Sequence, residues 1–275
     1  MERILDHADH RRDLGANRYV YAVVSRRARG LSIGLNLNPD KVCNFACPYC
    51  QVDRTTPGGA REIDVAELTA ELDVLLGWVA DRSLWEHPPF HTVAPALRRV
   101  ADLAFAGDGE PTTPAAFPAA ARAVRAARDR DRLGVPVRLF TNATMLHRPR
   151  VRAALAYIDE VWCKLDAGTE AYFRVVDGTS FPFSRILQNL HDLAQERPIV
   201  IQSMFLALDG APPSEAELDT WAQRLREIGG TISQVQVYTV ARRPAELRCT
   251  PLPREALDAI AARARALGLS ADVYG

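Results

Sequence analysis

Hydrophobic and polar positions alternate in short runs along the chain, and between these runs the apolar spacing widens to three and four. Successive strand side chains point to opposite faces, whereas one face of a helix returns every three to four residues. By that rule strands are predicted at about 31–38 (LSIGLNLN), 101–107 (ADLAFAG), 136–142 (PVRLFTN), 160–166 (EVWCKLD), 198–206 (PIVIQSMFL) and 233–240 (SQVQVYTV), with a short last one at about 271–274. Helical patterns fill the intervals, among them DVAELTAELDVLLGWVADR, with Asp64 as its expected N-cap, and PREALDAIAARARALG, with Gly268 as its stop signal. Strand-then-helix units in strict order require parallel strands joined by crossover helices. The expected class is α/β, as a partial barrel or a doubly wound sheet. Residues 31–275 read as one domain behind an N-terminal extension at 1–30, and the Pro-rich stretch at about 87–99 reads as a loop inside it.

The alternation also sorts the strands' two faces. In LSIGLNLN, Ile33, Leu35 and Leu37 share one side, and Ser32, Asn36 and Asn38 the other. Lys164 and Asp166 share a side opposite Cys163, and Gln234, Gln236 and Tyr238 lie opposite Val235 and Val237. A parallel sheet that only supports structure is apolar on both faces. A partly polar inner face needs partners for its donors and acceptors, and a bound polar ligand would supply them.

Composition adds two constraints. The 275 residues carry 34 basic and 34 acidic side chains and are 48% hydrophobic, enough for a sizeable core with no net charge. Lys41 and Lys164 are the sole lysines, so nearly all positive charge is arginine. The doublets Arg11–Arg12, Arg26–Arg27, Arg98–Arg99 and Arg242–Arg243 are scattered and balanced by acids, which suits solvated faces. No DNA partner is expected. The N-terminus has no apolar signal core and no run approaches the ~20 residues of a membrane span. A soluble cytoplasmic protein without disulfides is therefore expected.

Three of the five cysteines fall within CNFACPYC, residues 43–50, just after the first predicted strand. A C-x2-C pair alone suits a zinc half-site or a redox pair. A zinc site lacks a fourth ligand, since His7, His10, His87, His91, His147 and His191 include no convincing partner. A redox pair leaves Cys43 unexplained. Three neighbouring thiolates suit a [4Fe–4S] cluster, which normally takes four cysteines, and leave one iron for another ligand. The C-x3-C-x2-C spacing resembles the signature of the radical S-adenosylmethionine superfamily. FAGDGEPT (105–112), TNAT (141–144) and KLDA (164–167) follow at the ends of later strands in that family's order, and the set resembles its wyosine-synthase-like branch.

The resemblance implies a fold, a partial (β/α)6 barrel of TIM type with outer helices. It implies that Cys43, Cys47 and Cys50 hold the cluster and that S-adenosylmethionine takes the open iron. It places Gly107, Asp108, Gly109 and Glu110 at the cofactor's methionine amino group and Tyr49 near its adenine. Thr141 and Asn142, with Lys164 and Asp166, are implied at its ribose and carboxylate, Lys164 at the carboxylate and Asp166 at the ribose or substrate. Gln202 and Gln236 are expected to line the cavity, Gln202 as a cofactor contact. Tyr238 is expected to share catalytic work with Lys164 and Asp166. Cys163 is expected to pack as a buried thiol, and Cys249 to be a free thiol, a donor to a product radical or a ligand to another cluster. The implied activity is reductive cleavage of S-adenosylmethionine and hydrogen abstraction from a small-molecule or peptide substrate, with a flavodoxin or ferredoxin as reductant. Residues 1–42 hold no cysteine, whereas wyosine enzymes carry extra N-terminal cysteines, so a tRNA base ranks second. A non-catalytic metal-binding interaction protein is the alternative of another class.

Overall fold

A computed structural model describes residues 4–6, 14–25, 28–242 and 244–275. His7, His10, Arg11, Arg12, Arg26, Arg27 and Arg243 lie outside the described residues. The chain divides into two compact units. The first takes residues up to Val42, Pro57–Phe140 and Arg148–Glu160; the second takes Cys43–Thr56, Thr141–His147 and Val161–Gly275.

In the first unit β1 (Val20–Ser25) pairs antiparallel with β2 (Gly30–Leu35), which runs parallel to β3 (Val100–Phe105), itself parallel to β4 (Val137–Thr141). Helices α1 (Val65–Ala80), α2 (Phe117–Arg130) and α3 (Pro149–Ala154) follow in order. Asp64 caps α1 as expected, accepting from the Ala66 and Glu67 amides at 2.8 and 3.1 Å. Leu68, Leu72, Leu75 and Leu76 are the buried stripe of that helix, each contributing about 1.5–3 kcal/mol. On a neighbouring turn Glu71 accepts three successive backbone amides, from Arg18, Tyr19 and Val20, at 2.6–2.9 Å. This ties the chain entering β1 to the helix.

The polar face of these strands finds internal partners. Ser32 donates to Asp102, Arg138 reaches Asp102 at 2.5 Å and Glu160 at 2.7 Å, and Asp102 is 2% exposed. Burial pushes the Asp102 carboxyl up, against the pull of Ser32 and Arg138.

In the second unit β5 (Glu160–Lys164), β6 (Ile199–Met204), β8 (Ile232–Tyr238) and β10 (Ala271–Tyr274) run parallel in that order. Helices α4 (Glu170–Val176), α5 (Phe183–Glu196), α6 (Glu215–Ile228) and α7 (Arg254–Ala266) alternate with them. Gly268, just beyond α7, has φ +80° and its amide bonds the Arg265 carbonyl at 2.9 Å, the expected glycine stop. A two-stranded antiparallel ribbon joins β7 (Leu206–Leu208) to β9 (Cys249–Pro251).

The α/β class with parallel strands is therefore as expected, and each predicted strand has its counterpart. Three elements lie outside the sequence reading: β1, the β7–β9 ribbon and α4. The stretch at 87–99 holds short 3-10 turns at 90–92 and 95–97. Among the described residues no helix is long and apolar enough to cross a membrane.

Candidate metal centre and cofactor site

The cysteine loop belongs to the second unit. Cys43, Cys47 and Cys50 form no disulfide and are partly buried, whereas Cys163 and Cys249 are fully buried. The Cys50 amide closes a turn on the Cys47 carbonyl at 2.9 Å. Arg54 lies 3.8 Å from the Cys50 sulfur and its guanidinium also meets Cys43, so one cation serves two of the three thiols. Cys47 sits 3.6 Å from Asp177 Oδ1, and burial pushes its thiol well up while Lys164 pulls it down.

The loop is anchored on several sides. The Ala46 amide bonds the carbonyls of Asp177 and Gly178 at 3.2 and 3.3 Å, and the Ala245 and Glu246 amides bond Cys50 O and Pro48 O at 3.0 Å each. Asn44 Nδ2 donates to Thr144 Oγ1 at 2.7 Å and Asn44 Oδ1 accepts from Asn142 Nδ2 at 2.7 Å. Among the described residues no three Cys, His, Asp or Glu side chains converge on one ion. A cubane makes a different demand: each thiolate takes its own iron, so ligands surround the group rather than meet at a point. Three thiols outside any disulfide on one anchored loop, two of them beside a single guanidinium, have the donor chemistry that a [4Fe–4S] group takes from protein.

Lys164, at the end of β5, meets the loop through its neighbours. Its ammonium donates to the Tyr49 hydroxyl and to Asp166, and lies 2.7 Å from Asp177 Oδ1. Tyr49 donates in turn to Asp166, whose other oxygen accepts the Met204 amide at 2.9 Å. Burial opposes the lysine's charge, but Asp166 and Asp177 together hold it well above the usual lysine range. Two buried carboxylates sharing one ammonium cannot both be ordinary acids. Burial raises both, and Asp177 reaches about 7 despite Lys164. Lys164 and Asp166, on one side of the strand by parity, meet directly. Asp177, buried to 1% exposure, went unnoticed.

Thr141 and Asn142 bond within the turn that follows β4. Thr141 Oγ1 accepts the Ala143 amide at 3.0 Å, and Asn142 Oδ1 accepts both the amide and the hydroxyl of Thr144, at 3.2 and 2.7 Å. Their polar atoms serve the turn and the cysteine loop. Gln202 Nε2 donates to Gln236 Oε1 at 2.9 Å, Gln236 to Gln234 at 2.9 Å, and Gln234 to Asp272 at 2.6 Å. Tyr238 is half-buried and close enough to Lys164 to act on its charge. Cys249 packs with Leu206 and Val240, with Tyr49 and Met204 against them.

The GDGEPT motif belongs to the first unit. Asn36 Oδ1 accepts the Asn38 and Asp108 amides at 3.0 and 3.1 Å, and Asn36 Nδ2 donates to the Asp108 carboxylate at 2.7 Å. A Cβ at Gly107 would lie 2.3 Å from Asn36 Oδ1, and one at Gly109 would lie 2.2 Å from Val42 O. Both glycines are thus required by close packing against residues 36–42. Glu110 is 3% exposed and accepts the Thr112 amide and hydroxyl.

No family model matches the chain. Among curated proteins it is 25% identical over 242 residues to a "GTPase Obg" of Brachyspira hyodysenteriae, covering 86% of this chain and 32% of that protein. It is also 25% identical over 240 residues to a "UPF0026 protein" of Helicobacter pylori, covering 86% of this chain and 71% of that one. The chain thus spans about a third of the first relative's length. Among solved structures, a radical SAM methyltransferase from Sphaerobacter thermophilus superposes with TM-score 0.65 at 14% identity, over 93% of this chain and 68% of that one. A TYW1 structure with a lysine–pyruvate adduct bound gives TM-score 0.57 at 13% identity, over 90% and 84%. The protein carries the parallel α/β fold of the radical S-adenosylmethionine enzymes, with their C-x3-C-x2-C spacing on one anchored loop.

Proposed function

We propose that the chain is a radical S-adenosylmethionine enzyme whose Cys43, Cys47 and Cys50 hold a [4Fe–4S] cluster. One observation carries the reading: three free thiols in the C-x3-C-x2-C spacing stand on a loop fixed by polar contacts, in a fold shared with such enzymes. Bound by Cys43, Cys47 and Cys50, the cluster would supply one-electron reductive cleavage of the S-adenosylmethionine sulfur–carbon bond and, through it, hydrogen abstraction from substrate. The protein's own part is to bind, orient and shield. Arg54 offers N–H donors to the sulfurs. An ammonium has three donors, and those of Lys164 meet Tyr49, Asp166 and Asp177. Lys164 therefore acts first as the counter-charge of two buried carboxylates, and a cofactor carboxylate joins it only by displacing one of its three partners. Asp166 and Tyr49 are left to present oxygen to the ribose or adenine side.

The substrate in this reading is a small molecule or peptide, and the electron comes from a flavodoxin or ferredoxin. The reducing cytoplasm, where three thiols stay free, is its place. A tRNA base is the second reading, favoured by the likeness to TYW1. Anaerobic reconstitution with iron and sulfide, followed by dithionite and S-adenosylmethionine, is expected to give reductant-dependent 5′-deoxyadenosine. A full iron complement without that product refutes the enzyme reading. A colourless protein holding zinc favours a binding module. Tight, salt-sensitive tRNA binding moves the second reading ahead.

A further inference from the structure

We infer that two short segments, Asn142–Thr144 and Asp177–Thr179, pre-shape the cysteine loop before any metal arrives. They are positioning residues for cluster ligation, an inference that rests on reading Cys43, Cys47 and Cys50 as the cluster's ligands. The first segment grips the Asn44 side chain at both ends. Asn44 Nδ2 donates to Thr144 Oγ1, Thr144 Oγ1 donates to Asn142 Oδ1, and Asn142 Nδ2 returns to Asn44 Oδ1, each at 2.7 Å. Every member of this ring of three side chains both gives and accepts, so each bond polarises the next. The turn that presents it is strained. Ala143 has φ +66°, a region a non-glycine residue rarely holds without support. Support comes from Thr141 Oγ1 on the Ala143 amide and from Asn189 Nδ2 on the Ala143 carbonyl at 2.8 Å.

The second segment grips the loop's backbone. Ala46 N bonds the carbonyls of Asp177 and Gly178, and Thr179 Oγ1 donates to Asn44 O at 3.3 Å. Gly178 has φ +57°, and a Cβ there would lie 2.1 Å from Ala46 O. Only glycine lets the two backbones approach so closely. Asp177 adds its carboxylate beside Cys47. The two grips meet at Asn44, one on its side chain and one on its carbonyl. A loop ordered in this way gives up its freedom during folding rather than on metal capture. Partners that orient metal ligands commonly change metal affinity by about 10–100-fold when removed.

The test uses Thr144→Val, Thr144→Ser and Gly178→Ala in the full chain, with circular dichroism to check folding. In the reduced, metal-free protein, alkylation of each cysteine is followed by mass spectrometry, with buried Cys163 as internal reference. In the reconstituted protein, iron retention against a chelator and the electron paramagnetic resonance spectrum of the reduced cluster are followed. Thr144→Val and Gly178→Ala are expected to speed alkylation of Cys43 and Cys47 and to weaken iron retention by about tenfold or more. They are also expected to broaden or shift the spectrum, and Thr144→Ser to restore all three readouts. Wild-type alkylation and iron retention in both disruptive variants overturn the inference, as does a loss that Thr144→Ser fails to restore. If Gly178→Ala does not fold, the Thr144 pair decides. A wild-type chain that takes up no iron defeats the cluster reading instead, while the alkylation rates still judge whether these segments hold the loop.

Discussion

Replacing Lys164 by methionine probes the charge balance beside the cysteine loop. The change keeps most of the stem's volume and removes the ammonium that Asp166 and Asp177 share. Removing one partner of a buried ion pair costs about 3–5 kcal/mol, since it leaves uncompensated charge. The cost must also depend on pH, with a sign fixed by Asp177. In the wild type this carboxyl, raised to about 7 by burial against the pull of Lys164, sheds its proton as pH rises through neutrality. Without the ammonium it keeps its proton further into the alkaline range. In the unfolded chain Asp177 is ionised from about pH 4 upward with or without Lys164. Above about pH 7 the folded variant therefore holds one proton more than its unfolded chain, whereas the wild type, with Lys164 charged in both states, holds the same number in each. Each such pH unit widens its deficit by about 1.4 kcal/mol. Urea unfolding of the reduced, metal-free proteins at pH 6, 7, 8 and 9 reads this directly. The expected gap between the stability curves is smallest at pH 6 and opens steadily above pH 7. Parallel curves, or a loss below about 1 kcal/mol at pH 9, refute the assignment of Lys164 as counter-charge.

Two further substitutions test the first unit. Gly107→Ala drives a Cβ into Asn36 Oδ1 and is expected to destabilise by about 1–3 kcal/mol. In an Asn36→Ala background its cost should fall by about 1 kcal/mol, and strict additivity in urea unfolding would show that packing on Asn36 is not the reason for the glycine. Arg138→Met leaves Asp102 buried with Ser32 alone and should cost about 3 kcal/mol near neutrality. Burial already raises this carboxyl, so protonation relieves the deficit at acid pH. Adding Asp102→Asn should recover most of the loss, and no recovery speaks against an unpaired carboxylate as its cause.

Much of this was legible in the residues, and the failures share a cause. Period-two alternation located the parallel strands because those strands are buried on one apolar side and polar on the other. Parity placed Lys164 and Asp166 together because a strand fixes direction. β1 and the β7–β9 ribbon escaped because VYAVVS and two three-residue strands carry little periodic signal, and their pairing is a tertiary matter. Asp177 escaped for a related reason. VDGTS carries no signature of its own beyond that of a turn, and only the fold brings it to Ala46 and Cys47. The one local hint was the glycine at 178, whose positive φ a DG turn often needs. For TNAT the sequence shows donors and acceptors without showing whom they meet. Gly107 and Gly109 pack closely on residues 36–42 of the same unit, a contact between segments that the sequence alone does not show.

The glutamine ladder from Gln202 to Asp272 has a direction. An ionised carboxylate only accepts, so Gln234 must turn its amide nitrogen toward Asp272 and its oxygen toward Gln236, and the same orientation passes on to Gln202. An acid on the last strand thereby dictates that Gln202, two strands away and the third amide in the row, shows its carbonyl oxygen rather than its nitrogen at the free end. Neutralising Asp272 removes that instruction, and the row of amides then has no reason to prefer one sense over its reverse.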